Sequence, residues 1–241
     1  MDLSWLTALN INMEFVSSFF AIILIDLILS GDNAVVIALA VRSLPREKRQ
    51  KAIIIGSGAA VLLRIILTFF AIQLLGIPYL KLLGGLMIIW IAVKLFLEDS
   101  SDHNEIKSSE SFIKAVRVIL VADFVMSLDN VIAVAAASNG SMPLIIFGLI
   151  LSIPLVVGTS TFLLKLMDRY PAIIMIGAAV LGKVGGEMII TDPVVVKFLN
   201  PSKVMIYGVE AFCVIAVIIG GKILVRWKIR KEEAELGIEN Q

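Results

Sequence analysis

Asp26-Leu27-Ile28-Leu29-Ser30-Gly31-Asp32-Asn33 returns 97 residues later as Asp123-Phe124-Val125-Met126-Ser127-Leu128-Asp129-Asn130. The two blocks share Asp, Ser, Asp and Asn at matching places, and Gly31 is the only intervening residue that is not clearly apolar. Both lie inside long hydrophobic runs, where a carboxylate costs roughly 2.5–3.5 kcal/mol to insert into a membrane. Four such aspartates represent a load on the order of 10 kcal/mol, which points to use rather than accident.

The chain around these blocks is 59% hydrophobic with a mean hydropathy of +0.98 over 241 residues. Soluble domains hold roughly 45–50% apolar residues, so the composition predicts an all-α polytopic membrane protein with no sizeable soluble domain. A net charge of +1 is uninformative about partners, and no nucleic-acid partner is expected. The single cysteine, Cys213, excludes an intrachain disulfide and a multi-thiolate metal site. Residues 1–30 contain no Lys or Arg, so the first apolar run reads as a true span rather than a cleaved signal peptide.

Apolar runs of near-bilayer length place seven spans at about 15–41, 52–75, 79–97, 112–137, 143–164, 171–190 and 203–225. Residues 1–13, with Trp5, read as an interfacial lead-in. Residues 98–111 form an acidic linker with His103, and 226–241 a charged tail. With the N-terminus outside, the inner segments hold sixteen Lys and Arg against three on the outer side. The positive-inside rule then sets the N-terminus out and the C-terminus in the cytoplasm. Spans one and four cross in opposite directions, so the echo predicts an inverted repeat of three helices each. Repeat one covers 15–97, repeat two covers 112–190, and span seven is left over. At a 93-residue offset Pro78 matches Pro171, Gly84 matches Gly177 and Lys94 matches Glu187. Inverted-repeat transporters hold substrate near mid-membrane where the repeats meet.

On a regular helix Asp26, Ser30 and Asn33 share one face, while Asp32 points roughly 120° away. Gly31 offers a place for the helix to unwind, which is tolerated where backbone lines a polar cavity; Leu128 offers no such place. Either both acids of a block reach one site, or each block serves two stations. The candidate metal ligands are Asp26, Asp32, Asn33, Asp123, Asp129 and Asn130, supported by Ser30 and Ser127. An all-oxygen donor set suits Mg²⁺, Ca²⁺ or Mn²⁺ rather than Zn²⁺ or Cu⁺. Crowded carboxylates raise one another's pKa, so metal binding would release protons. The bland alternative is that the Asp-Asn pairs only cap broken helices. Arg64 is placed to neutralise one aspartate, as structural counter-ion or functional group. Lys94 fits a side chain snorkelling to the interface. Glu187 fits either an ion pair with Lys183 or a relay, Glu210 a solvated position, and the acidic linker a solvated loop. The clusters Gly56-Ser57-Gly58, Gly84-Gly85 and Gly182/Gly185-Gly186 read as close helix crossings.

Ser30-Gly31-Asp32-Asn33 after Asp26, repeated as Ser127-Leu128-Asp129-Asn130 after Asp123, resembles the TerC family of bacterial integral membrane proteins, and within it the YjbE-type branch. The Gly84-Gly85 helix leading to Lys94 supports the likeness. The resemblance implies a manganese exporter of the bacterial plasma membrane within the LysE-like transporter superfamily. It also implies metal carboxylates at Asp26, Asp32, Asp123 and Asp129, with Asn33 and Asn130 beside them. Mn²⁺ would be cargo rather than a resident cofactor, exchanged for H⁺, in a chain that is no enzyme. The rivals are a carrier of Ca²⁺ or a small solute, and an accessory handing metal to membrane partner proteins without net flux. A homo-oligomer is compatible with either. No Gly-x-x-x-x-Gly-Lys-[Ser/Thr], His-Glu-x-x-His or Gly-x-Ser-x-Gly motif occurs.

Overall fold

A computed structural model describes residues 19–26, 30–70, 77–99, 108–138 and 141–235, although several helical side chains, Asp129 among them, are outside that description. The lead-in with Trp5, most of the acidic linker with His103, and the end of the tail also fall outside the described residues. Every regular element described is a helix. In chain order these are α1 (Phe19–Asp26), α2 (Gly31–Arg42), α3 (Arg46–Phe69), α4 (Leu80–Asp99) and α5 (Ser108–Ala137). They continue with α6 (Met142–Arg169), α7 (Ala172–Ile190), α8 (Pro193–Leu199) and α9 (Lys203–Glu235).

Helices stand at all seven expected span positions, the first of them as two pieces. Of the described helices, α3, α6, α7 and the Lys203–Trp227 part of α9 are each long and apolar enough to cross a bilayer. The α1–α2 pair adds a fifth, bent by 47° at its break. The core is apolar, but the exterior is unlike that of a water-soluble protein. Phe20, Leu62, Phe69, Phe162, Ile176 and Phe212 are exposed, whereas Asp26, Arg64 and Asp123 are buried. Soluble chains bury the first kind of side chain and leave the second in water. An apolar exterior around charged groups is what lipid selects, because a charged side chain facing hydrocarbon is costly and turns to the bundle interior.

The helices meet in pairs related by the sequence echo. The equivalent helices α2 and α5, α3 and α6, and α4 and α7 each pack together. The cross-contacts are matched as well: α3 on α5 answers α2 on α6, and α4 on α5 answers α2 on α7. Helix α9 lies against α7 and α4. Glycine allows the closest of these approaches. A Cβ on Gly85 would come within 2.5 Å of the Gly185 carbonyl oxygen, so α4 and α7 touch backbone to backbone. Gly56 receives Ile119, and Gly182 and Gly186 receive α9 around Cys213. Gly58, expected at a crossing, faces open space.

Three features were not expected. The residues read as a charged tail from Arg226 continue α9 as one helix to Glu235. The short α8 fills the loop between the sixth and seventh positions, with Asp192 at its N-cap and Pro193 in its first turn. Glu210 is buried on α9 and reaches Lys183 Nζ at 4.0 Å, correcting the solvated position expected for it. The reason is geometric: Gly186 lets α9 press its backbone at Glu210 directly onto α7.

Candidate intramembrane polar site

Helix α1 ends at Asp26 and α2 begins at Gly31, so the first block sits on a helix break rather than on one regular turn. Ser30 takes the N-cap position of α2, and its carbonyl receives the Ala34 N–H at 3.0 Å. A capping serine normally offers its hydroxyl to the exposed N–H groups of the first turn. Here the hydroxyl makes no such bond and accepts one from Arg64 Nη1 at 3.2 Å. Asp32 stands in the first turn, where the helix dipole favours an anion. Its Oδ1 accepts the Asn33 N–H at 2.9 Å. A Cβ on Gly31 would meet nothing within 4 Å, so the glycine is not required for close packing. The second block differs, since α5 runs unbroken through Asp123 to Asn130. Leu128 lacks the backbone freedom of Gly31 and packs into the core.

Arg64, from the middle of α3, joins the two blocks. Its Nη1 donates to Asp26 Oδ1, and its Nη2 donates to Asp123 Oδ1 at 2.8 Å. Nε donates to Ser127 Oγ at 3.0 Å, and the Ser127 hydroxyl donates in turn to Asp123 Oδ2 at 3.2 Å. The cluster is sealed: Arg64 is 3% exposed, Asp26 1% and Asp123 6%. The arginine expected to neutralise one aspartate therefore serves one from each block. A planar guanidinium presents five donors in a rigid fork, and its four contacts here are the Asp and Ser of the two blocks.

The shared face predicted for Asp26, Ser30 and Asn33 is buried, as is the equivalent face of Asp123, Ser127 and Asn130. Asp32 is half-buried, and both Arg64 and Asp123 act on it electrostatically. The Asp129 side chain lies outside the described residues. Three polar atoms inside this region lack a hydrogen bond. Among the described residues, Asp26 Oδ2 and both amide atoms of Asn33 are buried without a hydrogen bond. Buried polar atoms are rarely left unpaired, so each is an open acceptor or donor. No three His, Cys, Asp or Glu side chains among the described residues form a group that would hold a metal ion. Asp26 and Asp123 are instead held by the guanidinium.

Lys94 and Glu187 do not join this cluster. Lys94 Nζ lies 4.7 Å from the centre of the Trp90 ring, and Glu187 pairs with Lys183 one turn away at 3.6 Å. Two further anchors had not been singled out from the sequence. Asp192, fully buried, accepts the Val194 N–H at 2.9 Å and the Leu82 N–H at 3.2 Å, tying the α7–α8 corner to the start of α4. Asp immediately before Pro is an N-cap signal, but only the fold reveals the bond to Leu82. Asp168 at the end of α6 pairs with Arg49 at 2.7 Å and with Arg42 at 3.6 Å. Arg49 also donates to the carbonyls of Leu44 and Arg42, so it closes the α2–α3 turn.

The comparisons with known proteins agree with the membrane reading. Residues 11–232 match the model of the integral membrane protein TerC family. The uncharacterized membrane protein YjbE of Bacillus subtilis is 45% identical over 179 residues, 74% of this chain and 82% of that one. The uncharacterized membrane protein YceF of Bacillus subtilis is 26% identical, over 68% of this chain and 69% of its own length. The UPF0053 inner membrane protein YgdQ of Escherichia coli K12 is 27% identical, over 69% and 77% respectively. No solved structure matches. With the family model spanning almost the whole chain, helix break, paired acids and all, the protein belongs to the TerC family of integral membrane proteins.

Proposed function

We propose that the chain is a secondary-active exporter of divalent manganese in the bacterial plasma membrane, with seven spans in an inverted three-plus-three repeat and the N-terminus outside. One observation carries the reading: the duplicated acid blocks converge on a single buried guanidinium, Arg64, between helices of opposite repeats. Two carboxylates against one guanidinium leave one negative charge in the sealed cluster. Asp32 stands beside it, and Asp26 Oδ2 and the Asn33 carbonyl oxygen are open acceptors among the described residues. These donors are all oxygen, the preference of a hard dication such as Mn²⁺. A cation entering the cluster competes with Arg64 for Asp26 and Asp123.

Energetics supports coupling. Moving a dication outward against about 150 mV, inside negative, costs roughly 7 kcal/mol. The chain has no nucleotide-binding motif, so the proposal takes inward protons as the counter-current, carried by carboxylates that the departing cation leaves crowded. The protein carries its cargo and performs no chemistry on it.

The test is flux in proteoliposomes of the purified chain. Asp26→Asn and Asp123→Asn are each expected to abolish Mn²⁺ movement, and collapsing the pH gradient to slow the wild type. Normal flux in both variants would refute the site. Equal flux of Ca²⁺ and Mn²⁺ would refute the selectivity, and indifference to the pH gradient would refute the coupling.

A further inference from the structure

A second built site lies away from the acid blocks, where α4 leaves the bundle and α5 enters it. Trp90, Ile91, Lys94, Ile113, Lys114, Arg117, Val118 and Val121 line a cavity of about 460 Å³ between these helices. It is graded along its length. Helix α4 runs toward the acidic linker and α5 runs away from it, so Lys94, Lys114 and Arg117 gather at the linker end. Trp90, Ile91, Val118 and Val121 lie deeper along the same two helices, while Ile113 stands beside Lys114 at the linker end. From Arg117 to Val121 the wall advances about 6 Å, at 1.5 Å per residue. Among the described residues three cations line it, and Lys94 is held over the Trp90 ring. Cavity-facing apolar surface is continuous with exposed Ile113, Trp90 and Val121 on the outer face of the bundle.

We propose that this cavity binds an anionic phospholipid of the cytoplasmic leaflet, its phosphate between Lys94, Lys114 and Arg117 and an acyl chain along Trp90, Val118 and Val121. Basic pockets between membrane helices on the cytoplasmic side are suited to such headgroups. The gradient from cationic rim to apolar depth fits a molecule that changes character in the same direction. A free phosphate would use the rim and leave the apolar half unfilled. The assignment to the cytoplasmic leaflet rests on the orientation proposed above. The binding itself needs only that the chain lie in a membrane.

The experiment is native mass spectrometry of the purified full-length chain titrated with cardiolipin, phosphatidylglycerol or phosphatidylcholine. One anionic lipid is expected to survive delipidation of the wild type, with phosphatidylcholine failing to replace it. The Lys114→Gln/Arg117→Gln double variant is expected to weaken anionic-lipid binding by roughly tenfold or more, since each basic side chain near a membrane surface contributes attraction. An Arg46→Gln/Lys51→Gln control, on the exposed start of α3, is expected to bind as the wild type does. Equal binding by the double variant and the control overturns the proposal, as does retention of phosphatidylcholine as firmly as the anionic lipids. Displacement of the lipid by millimolar inorganic phosphate also overturns it, in favour of a simple anion rim. Trp90 gives a reading that does not depend on the double variant folding. Its fluorescence in a Trp5→Phe/Trp227→Phe protein, where it is the one tryptophan left, is expected to shift on adding the anionic lipid and to stay constant with inorganic phosphate alone; an unchanged signal with the lipid counts against the assigned acyl contact. A chain that transports manganese but binds no lipid here fails only this inference. A chain that binds the lipid but transports nothing fails only the proposed function.

Discussion

Replacing Arg64 with methionine removes the one cation between Asp26 and Asp123 while keeping most of the side-chain volume. The guanidinium donates to two carboxylates and two hydroxyls in a cluster that is almost wholly buried. Hydrogen bonds to charged groups contribute about 1.5–3 kcal/mol each. Removing one partner of a buried pair typically costs about 3–5 kcal/mol, because the remaining charge is left uncompensated. The variant is therefore expected to lose about 3–5 kcal/mol of stability, read as an earlier thermal unfolding of the purified protein in nanodiscs. Cargo binding acts in the opposite direction. A ligand at 100 times its Kd stabilises by about 2.7 kcal/mol, and in Arg64→Met the cation no longer has to displace the guanidinium. Mn²⁺ should thus restore much of the lost stability in the variant and raise the wild type less. Neutralising the acids too, as Asp26→Asn/Arg64→Met/Asp123→Asn, should recover stability without Mn²⁺ and abolish the response to it. An Arg64→Met protein that unfolds at the wild-type temperature, or that gains no more from Mn²⁺ than the wild type, would refute the reasoning.

Other substitutions test the frame around the cluster. Gly85→Val should separate α4 from α7, because even a Cβ would come within 2.5 Å of the Gly185 carbonyl oxygen; a loss of about 1–3 kcal/mol is expected in chemical denaturation. Gly31→Ala meets no atom within 4 Å and should leave both unfolding and Mn²⁺ tolerance of the host unchanged; a sharp loss of tolerance would show that backbone freedom at the break is needed. Asp192→Ala removes an N-cap and the bond to Leu82, at a cost of about 1–2 kcal/mol, and hydrogen exchange should rise at the start of α4.

Much of the fold was legible because lipid imposes a single rule on long runs of sequence: apolar outward, polar only where it is used. That rule found helices at seven positions and set Asp26 and Asp123 apart as residues to explain. Asn33 is buried as well, but across a helix break rather than by the regular spacing that put it on one face with Asp26. What spacing does not carry is partnership between distant helices. Arg64 looked able to meet one aspartate, and only packing of α3 against α5 and the α1–α2 break shows it meeting two. Glu210 was misread for the same reason: nothing in its own neighbourhood tells that Gly186 brings α7 against it. The closing of the α2–α3 turn by Arg49 and Asp168 spans 119 residues and leaves no local trace. Lys94 and Glu187 were linked by repeat offset, yet each side chain answers to its own turn, Trp90 for one and Lys183 for the other.

The guanidinium between the two acid blocks has a consequence for reading the echo in the sequence. Ninety-seven residues beyond Arg64 stands Thr161, which has no charge and bonds to Val157 within its own helix. The echo doubles the acids but not the cation they share. One guanidinium answers two carboxylates, so the likeness between the blocks stops at the group on which they converge.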